Sequence, residues 1–191
     1  MTPQVKVCGV ASAEFAAEAA RRGVDYLGVI FAAKSPRCVP LATARAVAAS
    51  ARAAAANPPR IVGVFVEQTV DEILEIARSV PLDVVQLHRR ASADDVAALR
   101  AAGLEVWTLA GGAPGDGVLF DSSHGDGETE FRKGEYKAIV AGGISAANVG
   151  EALKLGPDVV DVNSSIETAP GVKSVELLDA LLEEVRRIQK R

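Results

Sequence analysis

Eight short, mostly apolar runs alternate along this chain with segments of helical apolar spacing, and no other feature limits its fold as tightly. The runs are Val5–Val10, Tyr26–Ala32, Ile61–Val66, Asp83–His88, Glu105–Leu109, Val118–Asp121, Tyr136–Ala141 and Asp158–Asn163. A strand wetted on one face alternates apolar with polar residues. A strand apolar on both faces is covered on both, as in a parallel sheet. Between the runs, Glu14–Arg22, Leu41–Ala56, Thr69 to Val80, Ser92–Ala102, Ser145 to Leu155 and Ser174 to about Ile188 read as helices. Their ends carry matching punctuation. Ser12 is placed as an N-cap, and Thr69-Val70-Asp71-Glu72 has capping-box form. Asn57-Pro58-Pro59 stops the alanine-rich second helix, because proline cannot continue one. The last helix sets Val175, Leu178, Leu181, Leu182, Val185 and Ile188 on one face.

The alternation falters once. Ala110–Gly117 is too short to hold a helical crossover, and Ser122–Glu135 has no clear apolar stripe. Eight strands with six good helices predict an α/β fold, a closed (β/α)8 TIM barrel, as a single domain over residues 1–191. Its fifth helix is replaced by a short loop and its sixth is weak. An open doubly wound sheet is the alternative, but no GxGxxG follows an early strand to favour a dinucleotide fold.

Composition removes several function classes. A net charge of −4 leaves no basic footprint for nucleic acid, and 4% aromatics argue against base-stacking platforms. No apolar run approaches the ~20 residues of a bilayer span, and Thr2-Pro3-Gln4 does not open a signal peptide, so the expected location is cytoplasmic. Cys8 and Cys38 make neither a disulfide framework nor a metal-ligand spacing; with only His88 and His124 beside them, no metal site is expected.

In a parallel barrel every strand's carboxyl end opens on one face, so residues distant in sequence converge there. Those ends carry Cys8, Lys34 to Arg37, His88, Asp121, Gly142-Gly143 and Asn163-Ser164-Ser165. Gly142, Gly143, Ser164 and Ser165 follow the seventh and eighth strands, where such barrels hold phosphate: bare backbone N–H groups and hydroxyls are anion donors. The competing reading is a tight turn that uses glycine. Cys8 and Asp121 form the candidate acid–base pair. A thiol of pKa ~8.5 needs a nearby cation to act as a base near neutrality. Lys6, two residues back on the same inward face, supplies one, and Asp161 on the neighbouring eighth strand is its expected partner. Against this, Cys8 also reads as a small core hydrophobe and Asp121 as a turn residue. Arg37 offers a planar fork to a carboxylate, with a solvated surface arginine as its alternative. His88 reads as a packing and hydrogen-bonding group rather than a catalyst.

Lys6-Val7-Cys8-Gly9, Lys34-Ser35-Pro36-Arg37, Val62-Gly63-Val64-Phe65-Val66, Val85-Gln86-Leu87-His88, Phe120-Asp121-Ser122, Ala141-Gly142-Gly143-Ile144, Asn148-Val149 and Pro170-Gly171-Val172-Lys173 occur in order along the chain. Together they resemble the phosphoribosylanthranilate isomerases of tryptophan biosynthesis. The resemblance implies an Amadori rearrangement of N-(5-phosphoribosyl)anthranilate to 1-(2-carboxyphenylamino)-1-deoxyribulose 5-phosphate. It implies Asp121 as general acid, Cys8 as general base, Arg37 on the anthranilate carboxylate, and Gly142, Gly143, Ser164 and Ser165 on the phosphate. It implies no cofactor, a phosphorylated small molecule as partner, and a monomer or homodimer. Where the family has Ser-Ser-Gly-Val-Glu, this chain has Asn163-Ser164-Ser165-Ile166-Glu167, which puts a Cβ near the expected phosphate contact. Arg89-Arg90-Ala91 and Gly125-Asp126-Gly127-Glu128 also depart from the family pattern, as does Trp107-Thr108. A histidine-pathway aldose–ketose isomerase, or an enzyme taking both substrates, is the runner-up, although that chemistry uses aspartates for both proton transfers. The indole-forming barrel synthase lacks its lysine and glutamate pattern here. A catalytically weak phosphate-binding relative is the non-enzymatic alternative.

Overall fold

Each of the eight runs forms a strand, and the strands pair in sequence order until the last meets the first. The computed structural model describes residues 3–122 and 135–189. The strands are β1 Gln4–Val7, β2 Tyr26–Ile30, β3 Arg60–Phe65, β4 Val84–Leu87, β5 Glu105–Leu109, β6 Gly117–Asp121, β7 Lys137–Ala141 and β8 Val159–Val162. All pairings are parallel. β1 closes on β8 with Lys6 opposite Asp161.

Six helices are present among the described residues: α1 Ala13–Arg21, α2 Leu41–Ala54, α3 Val70–Ser79, α4 Ala93–Ala101, α5 Val149–Lys154 and α6 Val175–Gln189. β5 passes to β6 without a helix, as the short glycine-rich link requires. The expected weak sixth helix, and the Gly125–Glu128 departure with it, lie outside the described residues.

Strand alternation sorts the side chains into two cores. Outward-facing Val7, Leu27, Ile61, Phe65, Val85 and Val160 pack with Phe15, Val47, Ile73, Leu99 and Leu181 of the helices. Inward-facing Tyr26, Val62, Val84, Trp107, Leu119, Ile139 and Val159 fill the barrel. On α6 the expected stripe is found, with Leu178, Leu181, Leu182 and Val185 buried and Val175 and Ile188 half-covered at its ends. The amino-terminal end of the barrel is sealed. The Tyr26 and Trp107 rings meet edge to face at 4.8 Å, and Lys137 Nζ lies 2.8 Å from Tyr26 Oη and 3.2 Å from Glu105.

Two features differ from expectation. The helix expected from Ser145 begins at Val149, because Asn148 Oδ1 accepts from Ser145 N–H at 2.7 Å and holds a turn there first. After β8, a one-turn 3-10 helix, Ser164–Ile166, leads into a small antiparallel hairpin, β9 Glu167–Ala169 and β10 Val172–Lys173, turning at Pro170-Gly171.

Candidate active site

The carboxyl ends of the strands surround a cavity of about 320 Å³. That lies within the ~300–1,000 Å³ usual for small-molecule sites. Cys8, Asp121, His88, Gly142, Gly143, Asp161, Ser164 and Ser165 all line it.

Cys8 follows directly on β1, its N–H bonded to the Val162 carbonyl at 2.8 Å, and its free thiol is buried. Beneath it Lys6 is fully buried, its ammonium 2.6 Å from Asp161 Oδ2. The other oxygen, Asp161 Oδ1, has no partner among the described residues. Burial pushes the Cys8 thiol above its ordinary pKa; Lys6 pulls it down, Asp161 pushes it up, and Lys173 pulls it down more weakly. For Lys6, burial opposes the charge, but Asp161 and the Cys8 sulfur outweigh it and hold the ammonium protonated. Burial raises Asp161 as well, against the attraction of Lys6. At Cys8 the direction is retention of the proton, so the resting thiol is neutral.

Asp121 ends β6, largely buried, with Oδ2 3.7 Å from His88 Nε2. On the far side of that imidazole, Nδ1 lies 3.5 Å from the Gln86 amide nitrogen. Gln86 is nearly inaccessible and was not a candidate from the sequence, yet it lines the cavity and its Oε1 has no partner among the described residues. A glutamine on the inward face of the apolar strand Val84-Val85-Gln86-Leu87 is the signal that marks it. Gly142 makes room for the acid: its φ is +98°, and a Cβ there would fall 2.9 Å from Asp121 Oδ1.

Gly142 and Gly143 follow β7, with Ser164 and Ser165 lining the same cavity from the 3-10 turn. Among the described residues nothing accepts from the backbone N–H groups of Gly143, Ser164 or Ser165, which leaves three donors for an anion. The Ser165 hydroxyl donates to the Ile144 carbonyl, so the side chain that replaces glycine stitches the two loops together.

Arg37 stands outside the cavity lining. Its Nε lies 2.8 and 3.1 Å from the two Glu167 oxygens and its Nη2 lies 2.7 Å from Oε2. The fork expected to meet a ligand carboxylate therefore meets, along one edge, a carboxylate of its own chain. Cys38 is exposed in the same loop. Among the described residues no cluster of three or more side chains has the makings of a metal site.

A family model described as N-(5'phosphoribosyl)anthranilate (PRA) isomerase matches residues 5–184. An N-(5'-phosphoribosyl)anthranilate isomerase of Chlorobaculum parvum is 33% identical over 220 residues, covering 98% of this chain and 96% of the relative. The crystal structure of phosphoribosyl anthranilate isomerase from Thermus thermophilus superposes with a TM-score of 0.82 at 28% identity, covering 97% of this chain and 99% of that one. A phosphoribosyl anthranilate isomerase in complex with reduced 1-(o-carboxyphenylamino)-1-deoxyribulose 5-phosphate superposes with a TM-score of 0.80 at 25% identity, covering 97% and 99%.

Proposed function

The chain belongs to the N-(5'-phosphoribosyl)anthranilate isomerase family, and from that membership we propose which of its residues carry the reaction. The enzyme converts N-(5'-phosphoribosyl)anthranilate to 1-(2-carboxyphenylamino)-1-deoxyribulose 5-phosphate in tryptophan biosynthesis. One barrel domain supplies every group the rearrangement needs.

Asp121 gives its proton to the furanose ring oxygen as the C1′–O4′ bond breaks, leaving an open chain with a protonated Schiff base at C1′. Cys8, as thiolate, takes the C2′ proton, and that C–H electron pair forms the C1′–C2′ double bond of an enolamine. Loss of the 2′-hydroxyl proton and protonation of C1′ then give the ketone. No net oxidation occurs, and one acid and one base suffice. The cationic Schiff base next to C2′ offsets the burial that keeps the resting thiol neutral. Gly142, Gly143, Ser164 and Ser165 hold the 5′-phosphate through backbone N–H groups. Ile30, Ala32, Val64 and Val66 make an apolar wall at the ends of β2 and β3 that suits an aromatic ring. Arg37, in the loop after β2, meets the ring's carboxylate.

The observation that carries this reading is that Cys8 and Asp121, over a hundred residues apart, line one cavity that also presents backbone N–H groups with no acceptor among the described residues. Cys8→Ser and Asp121→Asn should each lower kcat by about 10²–10⁴ while inorganic phosphate still inhibits competitively. Substrate fluorescence gives the rate directly. Either variant turning over at the wild-type rate overturns its assignment.

A further inference from the structure

The Arg37 fork is gripped on one edge only. Glu167 takes Nε and the near N–H of Nη2, with contacts of 2.8 and 2.7 Å, so the outer edge, Nη1 and the second N–H of Nη2, points away from it. A guanidinium is rigid and planar, so fixing one edge fixes the direction of the other. The stem is fixed as well: a Cβ on Gly9 would fall 2.7 Å from Arg37 Cδ, so this glycine lets the arginine lie against the end of β1.

Glu167 is itself held from behind. Its Oε1 also accepts from Lys173 Nζ at 2.7 Å and from Gly171 N–H at 3.2 Å. Lys173 is almost wholly buried, and its three donors go to Glu167, the Asn163 carbonyl at 2.9 Å and Asn163 Oδ1 at 2.8 Å. Two cations and one anion leave a single positive charge, which suits one ligand carboxylate. Hairpin β9–β10 carries both Glu167 and Lys173, so its fold places the clamp.

We propose that Glu167 is a positioning residue that presets the Arg37 fork for the substrate's carboxylate, with Lys173 anchoring it from the hairpin. This rests on the reading that Arg37 meets that carboxylate. The clamp's effect falls on the anthranilate end of the substrate and spares the phosphate end, because it is the Glu167 carboxylate that holds the arginine, whereas its tie to the phosphate turn, N–H to the Ser164 carbonyl, is backbone and survives substitution of the side chain.

Three variants test it, each checked for folding by its thermal midpoint. In Glu167→Gln an amide N–H replaces an acceptor against the guanidinium, and Arg37 loses a charge-assisted hydrogen bond. KM and the inhibition constant of anthranilate should rise about tenfold or more, with kcat and the inhibition constant of inorganic phosphate changing far less. Glu167→Asp, which keeps the charge and shortens the arm, should show the same selectivity at smaller size, and it decides the matter if the amide variant does not fold. Anthranilate inhibition that is unchanged or stronger overturns the proposal; so does an equal loss of phosphate and anthranilate inhibition, which would mark general loosening. Arg37→Gln separates the two layers. If it leaves anthranilate inhibition intact, the Arg37 reading falls. If it abolishes that inhibition while the Glu167 variants do nothing, only the clamp falls.

Discussion

Cys8 is a base placed where bases are hard to make. Its surroundings raise the thiol pKa through burial, with Lys6 in opposition, so little thiolate exists near neutrality. A base works deprotonated, and a raised pKa moves that form to higher pH. We therefore expect kcat/KM to climb with pH through an apparent pKa above the ~8.5 of an ordinary cysteine. A pH–rate profile measured to pH 10 checks it, and a plateau already reached at pH 7 would mean that another group sets the base. That Cys8 and Asp121 line one cavity was legible because both stand at the carboxyl ends of apolar strands, which a parallel barrel gathers on one face. Gln86 was not singled out, since a glutamine within a strand carries no chemistry of its own until His88 is seen 3.5 Å away. Glu167 and Lys173 were hidden for another reason. Their meaning lies in Arg37, 130 positions from Glu167, and no periodicity links a loop to a hairpin.

At the scale of elements, apolar runs and helix caps read clearly in the sequence because each is local. Thr69 and Ser92 both form capping boxes, and α3 and α4 begin one residue after them. The hairpin β9–β10 escaped because strands of three and two residues, exposed or half-covered, are too short to show a period. Its main anchor is the Glu167 carboxylate, held down to about 2 by Arg37 and Lys173 despite burial. A depressed carboxylate contributes stability that is complete above its unfolded pKa, ~4.3, and is lost as pH falls toward the folded value. Wild-type protein should therefore lose urea resistance between about pH 5 and pH 2 more steeply than Glu167→Gln does. Equal slopes for the two proteins would mean that the hairpin's ion pairs add nothing to folding.

For the whole molecule, the seam where β8 meets β1 carries a pairing that looks wasteful. Lys6 and Asp161 bring two charges into the barrel, and Asp161 Oδ1 is left without a partner among the described residues. A buried pair with an unsatisfied lone pair recovers its desolvation cost poorly, so stability alone does not explain it. Its place explains it better: the ammonium lies under Cys8 and lowers the cost of the thiolate. Closure of the barrel follows from eight apolar strands, but the use made of its seam follows only from Lys6 standing opposite Asp161. Lys6→Met should leave a buried carboxylate uncompensated and cost about 3–5 kcal/mol in unfolding free energy. Adding Asp161→Leu should return most of that stability, because the pair's removal spares both desolvation costs. Turnover should not return, since Cys8 would face an apolar floor with no cation to favour its thiolate. Urea unfolding beside steady-state rates decides between the two roles: a double variant as active as wild type would make the pair structural, and one that stays unstable would show that the seam needs its charges.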